Sequence, residues 1–424
     1  LLKQASKEFK SRGLSVYNMD SKENFSRDIR SNVAIHNSTG NDEITVVNIQ
    51  KFENDNDTIL ENDYNVKIQK IFFLDEVHRS YNPTGSFLAN LHLADKKAIK
   101  IGLTGTPLLG DNNSRSLFGN YIHKYFYNQS IADGYTLRLI REGIETQYRM
   151  SLQQTLDQIK ILRGDIDKRD LYSDPKFVEP MIDYIVKDFE KSRISMNDNT
   201  IGAMVVCDSY EQAETMYKIF QNSQKKIDKN KNEINNKKET YVSEITRLSK
   251  VKSAELVLYD TGTKEDRDQI VENFKEGKID LLFVYNMLLT GFDSSRLKKI
   301  YLGRKIKSHN LLQTLTRVNR TYNEFRYGYV VDFVDIEKEF DKTNRAYFDE
   351  LQLELGDEFK NYENMFKSEK EIENEINEIK SLLFKYDTTN LENFSKQISQ
   401  INDKKDVREI VKILNNAREL YNII

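Results

Sequence analysis

Short apolar runs recur along this chain, and stretches with an apolar residue every third or fourth position lie between them. The runs at 43–49 (EITVVNI), 71–74 (IFFL), 98–103 (AIKIGL), 201–207 (IGAMVVC), 256–259 (LVLY), 280–285 (DLLFVY), 299–302 and 327–333 (YGYVVDF) predict strands. A strand-like stretch also covers 136–148. The spaced pattern predicts helices over 1–12, 86–93, 153–163, 175–191, 210–221, 264–274 and 308–319. Gly13 is a stop for the first of these. Strands that alternate with helices imply an α/β fold with mainly parallel sheets. From about residue 335 the strand signal vanishes, and helical runs at 369–385 and 407–421 predict a separate helical domain.

Composition narrows the class. With 424 residues the chain exceeds one core, so two or three domains are expected. Charged residues make up 31%, but the net charge is only -3. Any nucleic-acid surface must therefore be a local patch. The lysine-rich stretch 225–252 reads as a solvated helix or loop. The single cysteine, Cys207, sits inside an apolar run and reads as a buried thiol, which fits a reducing, cytoplasmic setting. No apolar run reaches the ~18 residues of a membrane span, so no membrane partner is expected. No CxxC or HExxH motif is present.

The candidate chemistry begins at Asp75 and Glu76, which end the 71–74 run. Acids at the carboxyl end of a buried strand lie where open α/β sheets bind ligands. Taken alone, such a pair is a solvated turn. Three further stretches change that weight: LTGTP at 103–107, LLTGFD at 288–293 and QTLTRVNR at 313–320. Each follows or precedes a predicted strand. There is no GxxxxGK[ST] phosphate loop in the 424 residues.

In this order the four stretches resemble motifs II, III, V and VI of superfamily 2 helicases and translocases. DEVHRS, LTGTPL, FGNYIHKY and QTLTRVNR together resemble the restriction (motor) subunit of type I restriction-modification enzymes. The resemblance covers about 40–335. It implies two RecA-like lobes, the first incomplete, followed by a helical region. The expected division is 1–150 for the C-terminal part of motor domain 1, 151–180 for linker helices, 181–337 for motor domain 2 and 338–424 for part of a helical domain. The family's nuclease domain and phosphate loop are not among these residues, so a fragment is expected.

The resemblance implies an ATP-dependent double-stranded DNA translocase that works with methyltransferase and specificity subunits. A strand-separating helicase and a non-catalytic assembly or DNA-docking module are the alternatives. ATP and Mg²⁺ are the implied cofactors. Asp75 is expected to hold Mg²⁺ and Glu76 to orient or deprotonate the attacking water. Gly291, Asp293, Gln313, Arg317 and Arg320 are implied to contact ATP. His78, Thr104 and Thr106 are implied to couple nucleotide to movement, and Gln50 to contact DNA, with Asn48 where the family usually has threonine. Arg317 and Arg320, three apart on a predicted helix, are expected to share one face and act as arginine fingers.

Overall fold

The computed structural model describes residues 2–19, 21, 24–25, 27–28, 43–47, 70–77, 97–105, 118–125, 127–144, 146–163, 168–234, 249–289, 291–306, 308–334, 366–401 and 403–420. Gln50, His78, Thr106 and the expected helix at 86–93 lie outside them. The chain divides into two compact units, Leu1–Lys124 and Tyr125–Ile424.

In the first unit, helix α1 (Leu2–Ser11) ends at Gly13, whose φ of 82° favours glycine. The chain then enters β1 (Ser15–Met19), which pairs in parallel with β2 (Glu43–Val47). A second parallel pair joins β3 (Ile71–Asp75) to β4 (Ile99–Leu103), with Asp75 opposite Leu103. Gly102 in β4 lies under the ring of Phe118, which sits 3.1 Å from where a Cβ would stand. The start of the FGNYIHKY stretch therefore packs directly on the strand that leads into Thr104.

The second unit is built on a six-stranded parallel sheet. Its strands are β5 (Arg138–Gly143), β6 (Gly202–Val206), β7 (Ala254–Val257), β8 (Leu281–Val284), β9 (Leu297–Leu302) and β10 (Tyr327–Asp332). Their order across the sheet is β5-β10-β9-β6-β8-β7. Every residue of β6, β8, β9 and β10 is buried; β6 and β8 are apolar throughout, as strands covered on both faces usually are, while β9 carries Lys298 and Lys299 and β10 ends in Asp332.

Alternation along the strands sorts the core into two layers. Ala203, Val205, Leu281, Phe283, Tyr301, Tyr329 and Val331 belong to the larger core cluster. Helices α3 (Thr146–Arg163), α4 (Lys168–Ser173), α5 (Pro175–Met196) and α6 (Tyr210–Ile234) supply its other side, through Leu152, Ile159, Leu171, Ile185, Phe189 and Met216. A short helix, α2 (Tyr127–Ala132), precedes them in the chain. Met204, Val206, Leu282, Val284, Ile300, Leu302 and Val330 alternate to the opposite face and are equally buried. Buried residues from α7 (Lys264–Lys275) and α8 (Ser308–Leu315) include Phe274, Leu311 and Leu315.

Local chemistry sets the helix ends. Asp174 caps α5 by accepting from Lys176 N at 2.9 Å, with Pro175 in the first turn. Pro180 lies inside α5. Thr263 and Asp266 form a reciprocal capping box that starts α7.

Three expectations are corrected. Residues 138–143, assigned to the first motor domain by a boundary at 150, form β5 of the second sheet. The reason is packing: Leu139 and Ile140 are fully buried, and β10 would otherwise have an open edge. The strand-like stretch 136–148 accordingly divides into β5 and the start of α3. The expected linker helices at 151–180 are part of the core, through Leu152, Ile159, Leu171, Phe177 and Val178.

The C-terminal helices α9 (Glu369–Leu383), α10 (Leu391–Ser399) and α11 (Lys404–Leu420) are not a separate body either. Ile372, Ile379, Ile413 and Leu420 join the same core cluster. Phe366 extends the sheet as a parallel bridge beside Leu139, and Lys367 N donates to Leu139 O at 3.0 Å. Arg138 makes a bidentate pair with Glu371, at 3.0 Å on each oxygen, which holds that carboxyl down to about 2. Arg326 reaches Glu375 at 2.9 Å and Glu419 at 3.2 Å.

The buried face of β9 contains a charge cluster. The Lys299 ammonium lies 2.6 Å from Glu142 on β5 and 2.8 Å from Asp188 on α5, and donates to Ser192 Oγ at 3.0 Å. Burial alone would discharge it, but the two carboxylates hold it charged, well above the ordinary lysine range. Tyr301 donates to Asp188 at 2.7 Å from the same face. Removing the ammonium leaves two carboxylates buried without it. Lys299→Met should therefore destabilise the second unit by about 3–5 kcal/mol in urea unfolding. A loss below ~1 kcal/mol would show that the cluster is solvated in solution.

Candidate functional site

The first set of candidate residues stands at the carboxyl edge of the β3–β4 pair. Asp75 is the last residue of β3 and is exposed. Its Oδ1 accepts from Glu76 N at 3.0 Å. Glu76 has φ 52°, in the left-handed region, which a non-glycine residue enters at a cost of about 1 kcal/mol or more. Val77 then turns inward, 2% exposed, and its N–H donates to Leu103 O at 3.2 Å. That bond and the burial of Leu74 and Val77 hold the two acids at the strand end, with Asp75 exposed and Glu76 half-buried, one of its carboxylate oxygens shut off from solvent. Thr104 follows directly on β4 at the same edge. The structure thus brings Asp75, Glu76 and Thr104 together.

The second set lies in the second unit, between β8 and β10. Loop 288–293 carries two left-handed residues, Leu288 (φ 64°) and Gly291 (φ 73°). Gly291 adopts that geometry freely, while Leu288 is strained. Phe292 is buried, with its ring 5.9 Å from Phe274, and anchors the loop to α7. Asp293 follows and is partly exposed.

Helix α8 stops at Leu315, four residues short of the predicted end. Residues 316–319 form a turn that lies against β10. Gly328 permits this, because a Cβ there would run into Val318 O. Arg320 then makes an antiparallel bridge with Thr136, and Leu137 N donates to Asn319 O at 2.6 Å. Arg317 and Arg320 are therefore not on a helix and do not share a face. Arg317 is 9% exposed and donates Nε to Gln313 O at 2.9 Å and Nη1 to Phe292 O at 2.7 Å. Arg320 is exposed and pairs with Asp293 at 3.3 Å. Gln313 is buried at the inner side of α8.

Sequence reasoning missed Lys298. It is fully buried on the opposite face of β9 from Lys299 and donates Nζ to Arg320 O. Burial, and then the nearby Arg320 charge, push the ammonium down to about 7. It also missed Arg296, which donates to Thr200 O, Phe274 O and Ile279 O and knits two loops and the end of α7 together at the amino end of the sheet. The available signal was two lysines and an arginine (RLKKIYL) in a run that otherwise reads as a buried strand. Among the described residues no group of three or more His, Cys, Asp or Glu side chains could enclose a metal ion. No described helix is long and apolar enough to cross a membrane.

Parallel α/β sheets, one of them with acids at a strand end, define the class of open α/β proteins, whose ligands bind at the carboxyl ends of the strands. A sequence model of the SWI2/SNF2 ATPase family matches residues 1–169, and one of type I restriction enzyme subunit R domain 3 matches 208–335. Over these residues the chain is similar to SWI2/SNF2 ATPases and to type I restriction enzyme R subunits.

Among its relatives is the Type I restriction enzyme SauCOLORF180P endonuclease subunit of Staphylococcus aureus (strain COL). It is 27% identical over 303 residues, which are 65% of this chain and 32% of that one. The MjaVIIP endonuclease subunit of Methanocaldococcus jannaschii is 28% identical over 344 residues, covering 70% and 31%. The chain thus spans about a third of the length of these relatives. A solved fragment of an HsdR subunit from Vibrio vulnificus YJ016 aligns with 76% of this chain and 55% of its own, at 16% identity and a TM-score of 0.42.

Lys298 makes the second unit pH-sensitive. Between pH 7 and its ordinary pKa of 10.5, the unfolded chain holds a proton that the folded chain has lost. Stability from this group therefore rises with pH above 7, by at most about 1.4 kcal/mol per unit. In urea titrations at pH 6.5, 8 and 9, wild type should gain on Lys298→Met as pH rises. A difference that does not vary with pH would mean that the folded ammonium stays charged.

Proposed function

We propose that this chain forms part of an ATP-driven motor that moves double-stranded DNA through a type I restriction complex. The observation that carries the reading is the Asp75–Glu76 turn at the carboxyl edge of a parallel strand pair, with Asp75 exposed and Glu76 half-buried on a strained backbone. Its similarity to type I restriction enzyme R subunits supplies the context. Asp75 is the residue that would hold Mg²⁺. One carboxylate with waters and phosphate oxygens is the usual donor set for that ion, and Asp75, exposed at the strand end, offers one. A bound Mg²⁺ would neutralise charge on the transferring phosphate.

The steps assigned to the protein's own residues are these. Glu76 takes the proton from, or orients, the attacking water. Arg320 offers its exposed guanidinium to the phosphate charge, exchanging its partner Asp293 for it. An exposed ion pair is worth about 0–1 kcal/mol, so that exchange is cheap. Gly291 allows close approach of the loop backbone. Thr104, at the same edge as Asp75, relays the state of the site along β4. The partners of the complex would be methyltransferase and specificity subunits, which read the target sequence.

Two outcomes test this. In a subunit that also carries a phosphate loop, Glu76→Gln should bind ATP with wild-type affinity and lose DNA-stimulated turnover by about a hundredfold or more. Turnover near wild type in that variant would remove Glu76 from the chemistry. This chain by itself should hydrolyse ATP far below the ~1–100 s⁻¹ usual for phosphoryl transfer. A displacement assay separates the motor from a strand-separating helicase, since a duplex translocase strips a triplex-forming strand without yielding single strands.

Binding to duplex DNA should be insensitive to sequence. Affinity should fall steeply with salt, because phosphate contacts release counterions. Fluorescence anisotropy on unrelated duplexes at fixed salt checks both, and strong preference for one sequence would assign target reading to this chain.

A further inference from the structure

The geometry points to different tasks for the two arginines of 313–320: we propose that Arg317 is a positioning residue that sets loop 288–293, while Arg320 is the cation presented to ligand. The inference rests on the motor reading above for its consequence, but its geometry stands on the second unit alone.

Arg317 is buried and engages two of its three nitrogens within its own unit. Its planar guanidinium spans two backbone carbonyls from different segments, Gln313 O at 2.9 Å and Phe292 O at 2.7 Å. Both bonds are buried. To reach a phosphate, the side chain would have to withdraw its donors from two carbonyls where water is scarce, which is costly for each. Lysine lacks the flat fork that serves two acceptors in one plane. The bond to Phe292 O also falls where the loop requires support. The segment carries strain at Leu288 (φ 64°) and an unrestrained residue at Gly291 (φ 73°). Phe292 fixes it on one side by packing on Phe274, and Arg317 fixes its backbone from the other.

Arg320 has the opposite arrangement, with a fixed backbone and an exposed side chain. The backbone is held by the bridge to Thr136, by the adjacent bond from Leu137 N to Asn319 O and by Lys298 Nζ on its carbonyl. The guanidinium lies at the surface against Asp293, the residue that follows Phe292. One loop thus receives both arginines. Arg317 holds its backbone, and Arg320 meets its terminal carboxylate, which a phosphate can replace.

Hydrogen exchange on this chain tests the positioning role without nucleotide. In Arg317→Met, peptides spanning 286–294 should exchange about tenfold faster, as loss of a local closing contact predicts. Arg317→Lys should give a smaller rise, Arg320→Ala none, and β6 and β8 should stay slow in all three. Unchanged exchange in Arg317→Met, or an equal rise in Arg320→Ala, would overturn the proposal. If Arg317→Met loses protection throughout β6 and β8, Arg317→Lys carries the test, and the absence of a loop-confined rise there overturns it.

The second arm uses a subunit that carries a phosphate loop, with ADP as the probe because it has no γ-phosphate. Arg317→Lys should weaken ADP binding by about tenfold, a ground-state effect of a displaced loop. Arg320→Ala should keep ADP affinity and lose kcat. Loss of kcat in Arg317→Lys with wild-type ADP affinity and wild-type loop exchange would make Arg317 a phosphate-facing group and overturn the proposal. A loop-confined rise in exchange, with no variant altering nucleotide binding or turnover, would support the positioning role and count against the motor reading.

Discussion

The second unit depends on one buried charge, the Lys299 ammonium. It stands in the middle of the sheet and is neutralised by carboxylates from β5 and from α5. A buried cation of this kind is tolerated only if its partners are held in place, so it constrains both. The first partner, Glu142, belongs to a strand that precedes the rest of the sheet by three helices. The second, Asp188, lies on the long helix that covers one face. Lys299 therefore ties the entry strand, the central strand and the covering helix into one body, and Tyr301 reinforces the same face. Lys298, on the other face, does the same for the turn that carries Arg320. Two adjacent lysines on a buried strand thus serve two layers.

Much of the fold was readable from periodicity. The strand runs at 201–207, 280–285 and 327–333 became β6, β8 and β10 because strands buried on both faces are mostly apolar. What periodicity could not show was partnership. Nothing within 138–143 says that its partner is β10, far along the chain, and not a strand nearby. The same applies to the C-terminal helices. Their polar surfaces read as a solvated separate domain, yet Arg138 and Arg326 pair with Glu371, Glu375 and Glu419 across long sequence separations. Charge pairs between distant segments leave no local trace.

The candidate site divides in the same way. The position of Asp75 and Glu76 at a strand end followed from residue types alone. The strain at Glu76 and Leu288 did not. Both residues have side chains that ordinarily avoid positive φ, and only tertiary contacts force them there: Val77 bonding to Leu103 O in one case, Phe292 packing on Phe274 in the other. Strain held in two loops of the candidate machinery agrees with a protein whose loops change state as ligands come and go.

The two arginines show why spacing is a weak guide once a helix ends. A separation of three places residues on one face only while the helix lasts. Here α8 stops at Leu315, because the chain must turn across Gly328 and bridge to Thr136 before entering β10. Beyond that point the two side chains separate, one into the protein and one to the surface. The inward one meets two carbonyls that a straight helix would not have offered together. The outward one gains a fixed backbone that a free helix end would not have supplied. A motif that reads as one repeated function along the sequence can thus hold two, with the division set by where the backbone leaves the helix.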